Sequence, residues 1–262
     1  MPLFDDLIDD ARLLAADPSM FGVAIRQYVE SRDGASGEVV GRLMVPDTRL
    51  VGALRAAPVD VPVPVSVVNS GGAGGIVSLA NRVGTTSSGL HIVAVESAIR
   101  DLDDPAANAQ RIVSAVDVLE ADLDVFIELP YATGWARAVE VVEAAGHFGK
   151  LEASQLDRGD RVDSLAEQLS VLIEADLPFK ISLPPEPISS AYTLLRVLDG
   201  VAALIDGADV RDAAALLRRP DGDLQPRTAE HLWDTAAQQR LRRRVSRVSG
   251  PVVAPSLSPS QA

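Results

Sequence analysis

Apolar positions along this chain recur in one order: a short continuous run, a polar loop, then an amphipathic stretch with helical spacing. The runs are Val39–Val45, Val61–Val68, His91–Glu96, Leu123–Leu129, Phe148–Ala153 and Phe179–Leu183. Their starts lie about 22 to 32 residues apart, the length of one strand–helix unit. Helix signals fill the intervals. Asp104-Pro105 sets an N-cap and a first-turn proline ahead of Ile112, Val113, Val116 and Leu119. Thr133 is placed to cap a helix that ends at Gly146, and Ser164-Leu-Ala-Glu167 has capping-box spacing ahead of Leu169, Leu172 and Ile173.

The two ends depart from this order. Residues 3–16 and 19–31 read as helices, on stripes of Leu3, Leu7, Leu13, Leu14 and of Phe21, Ile25, Tyr28, Val29. Near the other end Ser190–Ile205 and Val210–Arg218 read as two successive helices, and Val245–Val248 could supply a last strand. The organisation expected is a helical lead over 1–38, a βα-barrel-like domain over 39–249 with a helical C-terminal region, and a disordered tail over 250–262. Six successive units favour parallel strands with right-handed crossovers. Val45-Pro-Asp-Thr-Arg49 is not the glycine-rich turn a dinucleotide fold places after its first strand. The fold class expected is therefore α/β, a parallel (β/α) TIM-barrel-like fold that could be incomplete or distorted in its last two units, with an open doubly wound sheet as the alternative.

Composition narrows the chemistry. Apolar residues make up 47% and aromatics 4%, so the core is built from Val, Leu, Ile and Ala, and with no cysteine there is no disulfide or thiolate chemistry. A formal charge of −13 opposes general nucleic-acid binding. The apolar runs are too short and interrupted for a membrane span, and Met1-Pro-Leu-Phe-Asp-Asp lacks the form of a signal peptide. The expectation is a cytoplasmic protein whose partners are a small-molecule ligand and, as a further option, a second copy in a homo-oligomer.

Two lysines stand against 22 arginines, and both lie in predicted strands, Lys150 in Phe148-Gly-Lys-Leu-Glu-Ala153 and Lys180 in Leu177-Pro-Phe-Lys-Ile-Ser-Leu183. A lysine in a buried strand needs a counter-charge or a cavity. Strand alternation turns Val125, Ile127 and Leu129 toward the helices and Glu128 toward the barrel interior. The same parity points Glu96, Lys150, Glu152 and Lys180 inward, near the C-terminal rim where barrel active sites form.

Three chemistries compete for this cluster. Glu96, Glu128 and Glu152 could hold Mg²⁺ or Mn²⁺, with a lysine moving the proton. A lysine with a destabilised ammonium could attack a carbonyl as a Schiff-base nucleophile. Alternatively, the lysines and glutamates neutralise one another as an internal ion-pair network without catalysis. If the chain is an enzyme, a lyase or isomerase for a small anionic carbonyl compound is expected, with Lys180, Glu128 and Glu152 as its catalytic groups. The rival is a non-catalytic barrel acting as a binding or assembly module.

Lys150-Leu-Glu-Ala-Ser154, a capped helix and Phe179-Lys-Ile-Ser182 together resemble the fifth-to-sixth strand segment of deoxyribose-phosphate aldolases. The resemblance implies a Schiff base at the sixth-strand lysine, matched to Lys180. That family's second lysine, on strand seven, has no counterpart after Lys180, and Pro184-Pro-Glu-Pro187 stands where its glycines would be. The Pro-Phe-Lys strand after a capped helix is also similar to uncharacterised actinobacterial barrel-like proteins, a likeness that implies a fold and no activity.

Other motifs have a plain reading beside a functional one. Asn69-Ser-Gly-Gly-Ala-Gly-Gly75 could cradle an anion through Asn69, Ser70, Gly71 and Gly72, or simply form a flexible loop. Asp47 could cap a helix or bind a ligand. His91, His147 and His231 lack zinc-ligand spacing. Arg240, Arg242, Arg243, Arg244 and Arg247 form a basic segment that could bind a phosphorylated ligand, RNA or an acidic surface, or be a solvated helix face.

Overall fold

Parallel strands need a crossover between each neighbour, and this chain supplies one after almost every apolar run. The computed structural model describes residues 3–34, 37–58, 60–80, 89–119, 122–154, 156, 159–220 and 233–251. The strands are β1 (Ile8–Asp10), β2 (Val40–Pro46), β3 (Val63–Asn69), β4 (Leu90–Ala98), β5 (Asp124–Glu128), β6 (Phe148–Glu152), β7 (Phe179–Ser182) and β8 (Val245–Gly250). They close in sequence order into a barrel, with every neighbouring pair parallel and β8 paired to β1. This is a complete eight-stranded TIM-barrel-like fold.

The helices are α1 (Arg12–Ala15), α2 (Phe21–Asp33), α3 (Leu50–Ala56), α4 (Gly72–Ala80), α5 (Pro105–Val116), α6 (Trp135–Ala144), α7 (Gly159–Glu174), α8 (Pro187–Ile205), α9 (Val210–Leu217) and α10 (Thr235–Arg244). Asp104 caps α5 by accepting from the Ala107 amide, with Pro105 in the first turn as expected. Gly146, at φ +69°, follows α6 in the left-handed conformation that a C′ glycine adopts freely. Thr133 does not cap α6, where Gly134 precedes the first turn. Ser164 lies inside α7, which starts at Gly159, so its capping-box spacing is not used. Among the described residues no helix is long and apolar enough to cross a membrane.

Two corrections concern the ends. Ile8–Asp10 is a strand where the leucine stripe predicts helix, and α1 is only the four residues that follow it. A three-residue strand is too short to show a period of two, and its two aspartates read as surface. Their burial is set by partners far along the chain. The last two units are intact: β7 and β8 pair through Lys180–Arg247 and Ser182–Ser249. The strand that the apolar pattern lacks is therefore the first, and each predicted run stands one place later in the barrel. The disordered tail expected over 250–262 starts one residue too early, since Gly250 is the buried last residue of β8; its part beyond Pro251, and His231, lie outside the described residues.

Strand parity sorts the core into two parts. Val45, Val65, Val67, Val95, Val125, Ile127, Leu151 and Ile181 face outward and join the helices in one apolar cluster. The inward positions are largely polar. Asp9, Arg42, Ser66, Glu96, Lys150 and Lys180 are all buried, where branched apolar layers commonly fill such a barrel. Space there is tight: a Cβ on Gly41 would come within 2.7 Å of both Arg247 Nη1 and Asp9 Oδ1.

Candidate functional site

The interior is built as three connected tiers. At the N-terminal end Arg42 reaches from β2 to an ion pair with Asp124 on β5, and its guanidinium lies 5.8 Å from the Phe126 ring centre. Phe126 and Phe148 stack beside it at 5.1 Å. Arg247 from β8 donates to the Asp6 carbonyl and lies 3.9 Å from Asp9 Oδ1.

Lys180 occupies the middle tier and is completely buried. Its Nζ donates to Asp9 Oδ2 at 2.5 Å and to Glu96 Oε1 at 2.7 Å, and lies 5.2 Å from the centre of the Phe126 ring. Ser66 Oγ donates to the same Glu96 oxygen at 2.7 Å. Asp9 is also tied to β2, accepting the Arg42 amide at 2.9 Å. This tier joins β1, β2, β3, β4 and β7 around one ammonium.

Lys150 forms the tier below the mouth. Its Nζ lies 3.1 Å from Glu96 Oε2 and 3.2 Å from Glu128 Oε2, so Glu96 is shared by both lysines, one on each oxygen. Burial alone would raise the Glu96 carboxyl. The charges of Lys180 and Lys150, with hydrogen bonds from Lys180 and Ser66, outweigh it and hold the group down at about 2. Burial would lower Lys150, but Glu96 and Glu128 overcome it and push the ammonium above the ordinary lysine range. Lys150 is therefore a cation at neutral pH.

Above Lys150 a cavity of about 600 Å³ opens at the C-terminal ends of the strands, with Asp10, Arg12, Lys150, Glu152, Ser182 and Ser249 on its wall. This volume suits a small organic ligand. Arg12 is held in place by Asp10, whose Oδ2 lies 2.6 Å from Nε and whose Oδ1 accepts the Arg12 amide at 2.9 Å. Burial raises the Asp10 carboxyl, and these contacts with Arg12 only partly oppose it. Glu152 is exposed at the end of β6, with Oε1 accepting the Ser154 amide at 2.8 Å.

The structure brings together Glu96, Glu128, Lys150 and Lys180, and sets Glu152 apart at the rim. Among the described residues no group of three or more acidic or histidine side chains is placed to hold a metal ion. The expected Mg²⁺ or Mn²⁺ site on Glu96, Glu128 and Glu152 does not fit this arrangement, because Lys150 fills the space between the first two carboxylates. Asn69, Ser70, Gly71 and Gly72 do not reach the cavity wall. Asn69 uses its amide on Ser97 Oγ, the Gly72 carbonyl and the Gly71 amide, and Ser70 bonds to Asp47. A Cβ on Gly75 would stand 2.1 Å from Asn69 Oδ1, so a close approach accounts for glycine there. Asp47 accepts from the Thr48 and Ser70 amides.

Asp9, Asp10 and Arg12 are the site residues that sequence reasoning missed. A signal existed: Asp9-Asp10 directly follows Leu7-Ile8 and precedes Leu13-Leu14, an apolar context in which carboxylates need partners. No protein-family model matches the chain, and no curated protein sequence matches it.

Proposed function

We propose that this barrel is a lyase or isomerase that moves a proton on a small anionic carbonyl compound bound in the mouth cavity. The observation that carries the reading is Lys150, an ammonium on the cavity wall whose charge Glu96 and Glu128 maintain. In this reading the substrate carbonyl oxygen lies against Lys150 Nζ and its anionic group against Arg12. Glu152 takes the proton from the carbon next to the carbonyl. The C–H electron pair forms the carbon–carbon double bond of an enolate, the carbonyl π pair moves onto oxygen, and the Lys150 ammonium stabilises that oxyanion by charge and hydrogen bond while keeping its proton. In an isomerase the deprotonated carbon carries a hydroxyl, whose proton passes to the enolate oxygen while Glu152 returns its proton to the former carbonyl carbon; in a lyase the enolate collapses back to the carbonyl and a leaving group departs with its bonding pair from the carbon beyond the deprotonated one.

The aldolase likeness points to a related chemistry at a different lysine. With β1 counted, Lys150 stands on the sixth strand and Lys180 on the seventh, so the Schiff-base expectation moves from Lys180 to Lys150. Attack on a carbonyl requires a neutral amine, and two carboxylates oppose that state. Stabilising an enolate oxygen is the chemistry that uses the ammonium as it stands. The non-catalytic reading keeps one observation in its favour: Asp9, Glu96, Asp124 and Glu128 face Arg42, Lys150, Lys180 and Arg247, so the interior charges offset one another without a ligand.

The test is deuterium incorporation. A panel of small keto acids and phosphorylated ketones is incubated with the protein in heavy water and followed by NMR. Exchange at the carbon next to the carbonyl, lost in Lys150→Met and Glu152→Gln, is the expected result. No exchange with any compound, or exchange unchanged in both variants, would overturn the proposal. Borohydride trapping at Lys150 would replace it with the Schiff base.

A further inference from the structure

The basic segment of the sequence divides once it is folded. Arg247 enters the barrel, and Arg242 turns back to donate to the Val245 carbonyl at 3.0 Å. Arg240, Arg243 and Arg244, at i, i+3 and i+4 of α10, share one helix face. They line a second cavity, of about 460 Å³, whose remaining wall is Asp176, Pro178 and Ile205. Pro178 immediately precedes β7, so this cavity lies at the N-terminal end of the barrel, opposite the mouth.

The charges here are unevenly matched. Arg240 pairs with Asp206 at 3.2 Å and Arg244 pairs with Asp176, while exposed Arg243 has no partner among the described residues. Three guanidinium groups thus meet two carboxylates, a local positive excess on a chain of net charge −13. Both carboxylates are weakly committed: the Asp206 and Asp176 side chains are 64% and 81% exposed. Pairs of that kind contribute little and exchange readily. A phosphate group offers stronger, bidentate acceptors to the same guanidinium groups. The favourable place of cations at a helix C-terminus accounts for charge in the last turn of α10, but not for Arg240 or for a cavity with an apolar floor.

We propose that this cavity is a binding site for a small phosphate ester. Its phosphate engages Arg240, Arg243 and Arg244 and displaces Asp176 and Asp206, and its organic part rests on Pro178 and Ile205. A volume of this size accommodates a phosphorylated sugar-sized molecule. The acidity of the chain as a whole disfavours a long polyanion. The site is separate from the mouth cavity and does not depend on the chemistry proposed there.

Isothermal titration at low salt tests it, with phenyl phosphate and inorganic phosphate as probes. Saturable binding of phenyl phosphate, tighter than that of inorganic phosphate, is expected. Arg243→Ala should weaken it about tenfold, the loss of one charge-assisted pair. Asp176→Asn removes a competing carboxylate and should strengthen binding roughly threefold. Asparagine also suits the positive φ of 57° at this position, so that variant keeps the turn. The gain with Asp176→Asn separates a binding site from a helix that is merely solvated. Absence of saturable binding at millimolar probe, unchanged affinity in Arg243→Ala, or weaker affinity in Asp176→Asn would each overturn the proposal. So would tight binding of a short RNA with none of phenyl phosphate.

Discussion

Lys150 and Lys180 are register partners on adjacent strands and share one glutamate, yet they occupy different environments. Lys180 is sealed between Asp9 and Glu96, with Ser66 satisfying the same carboxylate and an aromatic ring beside the ammonium. Lys150 has one partner in the interior and one, Glu128, at the edge, and the residue is part of the cavity wall. Register partners on neighbouring strands thus meet different surroundings, one sealed and one on the wall of a cavity. A buried charge is functional when something outside the protein can reach it; burial by itself does not distinguish the two.

The largest expected difference is in turnover. On the proposed reading Lys150→Met removes the cation that stabilises the enolate oxygen and should lower deuterium exchange by about 10²–10³-fold, the usual range for one oxyanion donor. Its stability cost should be smaller than that of Lys180→Met, because Glu96 keeps Lys180 and Glu128 can turn to water. Lys180→Met leaves buried Asp9 with only Arg247, at 3.9 Å, as a counter-charge and removes one of the two lysines from Glu96, and should cost about 3–5 kcal/mol in urea unfolding. Equal stability losses in the two variants would break the comparison.

Acid should reach the shared carboxylate next. Glu96 titrates at about 2 in the folded chain against an ordinary 4.5, a depressed value. Its contribution is therefore present above the unfolded value and lost as pH falls from there toward about 2. Integrated, that shift is on the order of 3 kcal/mol. Urea unfolding at several acidic pH values measures it, and in Glu96→Gln this part of the slope should vanish. Lys150, whose folded value is raised, acts with the opposite sign: its contribution is complete below the ordinary lysine range and is lost only in strong base. The smallest effect belongs to Glu128→Gln. Its carboxylate is about a third exposed, so a change under about 1 kcal/mol is expected. A larger loss would place Glu128 with the sealed tier.

The middle of the fold was legible because its signals are local. Seven strands follow from apolar runs and from Val245–Val248, and alternation within β5 assigns Glu128 and Ile127 to opposite faces. The same parity brings Glu96, Glu128, Lys150 and Lys180 to one interior. It fails at Glu152, because the last residue of a strand meets solvent at the rim whichever way it points. It also could not say that amines would fill the space proposed for a metal. β1 was illegible for a different reason: three residues carry no period, and two are aspartates whose burial depends on groups elsewhere. Lys180 lies 171 positions after Asp9.

That separation has a consequence for how the chain reaches its final form. β1 is hydrogen-bonded on one side to β2 and on the other to β8, the last of the described strands in chain order. Until β7 and β8 emerge, Asp9 lacks its ammonium and has every reason to remain hydrated. Closure is thus a late, long-range event, of the kind that slows folding and leaves unpaired strand edges exposed in the meantime. The shortest of the described strands acts as a latch that engages only once β7 and β8 are in place.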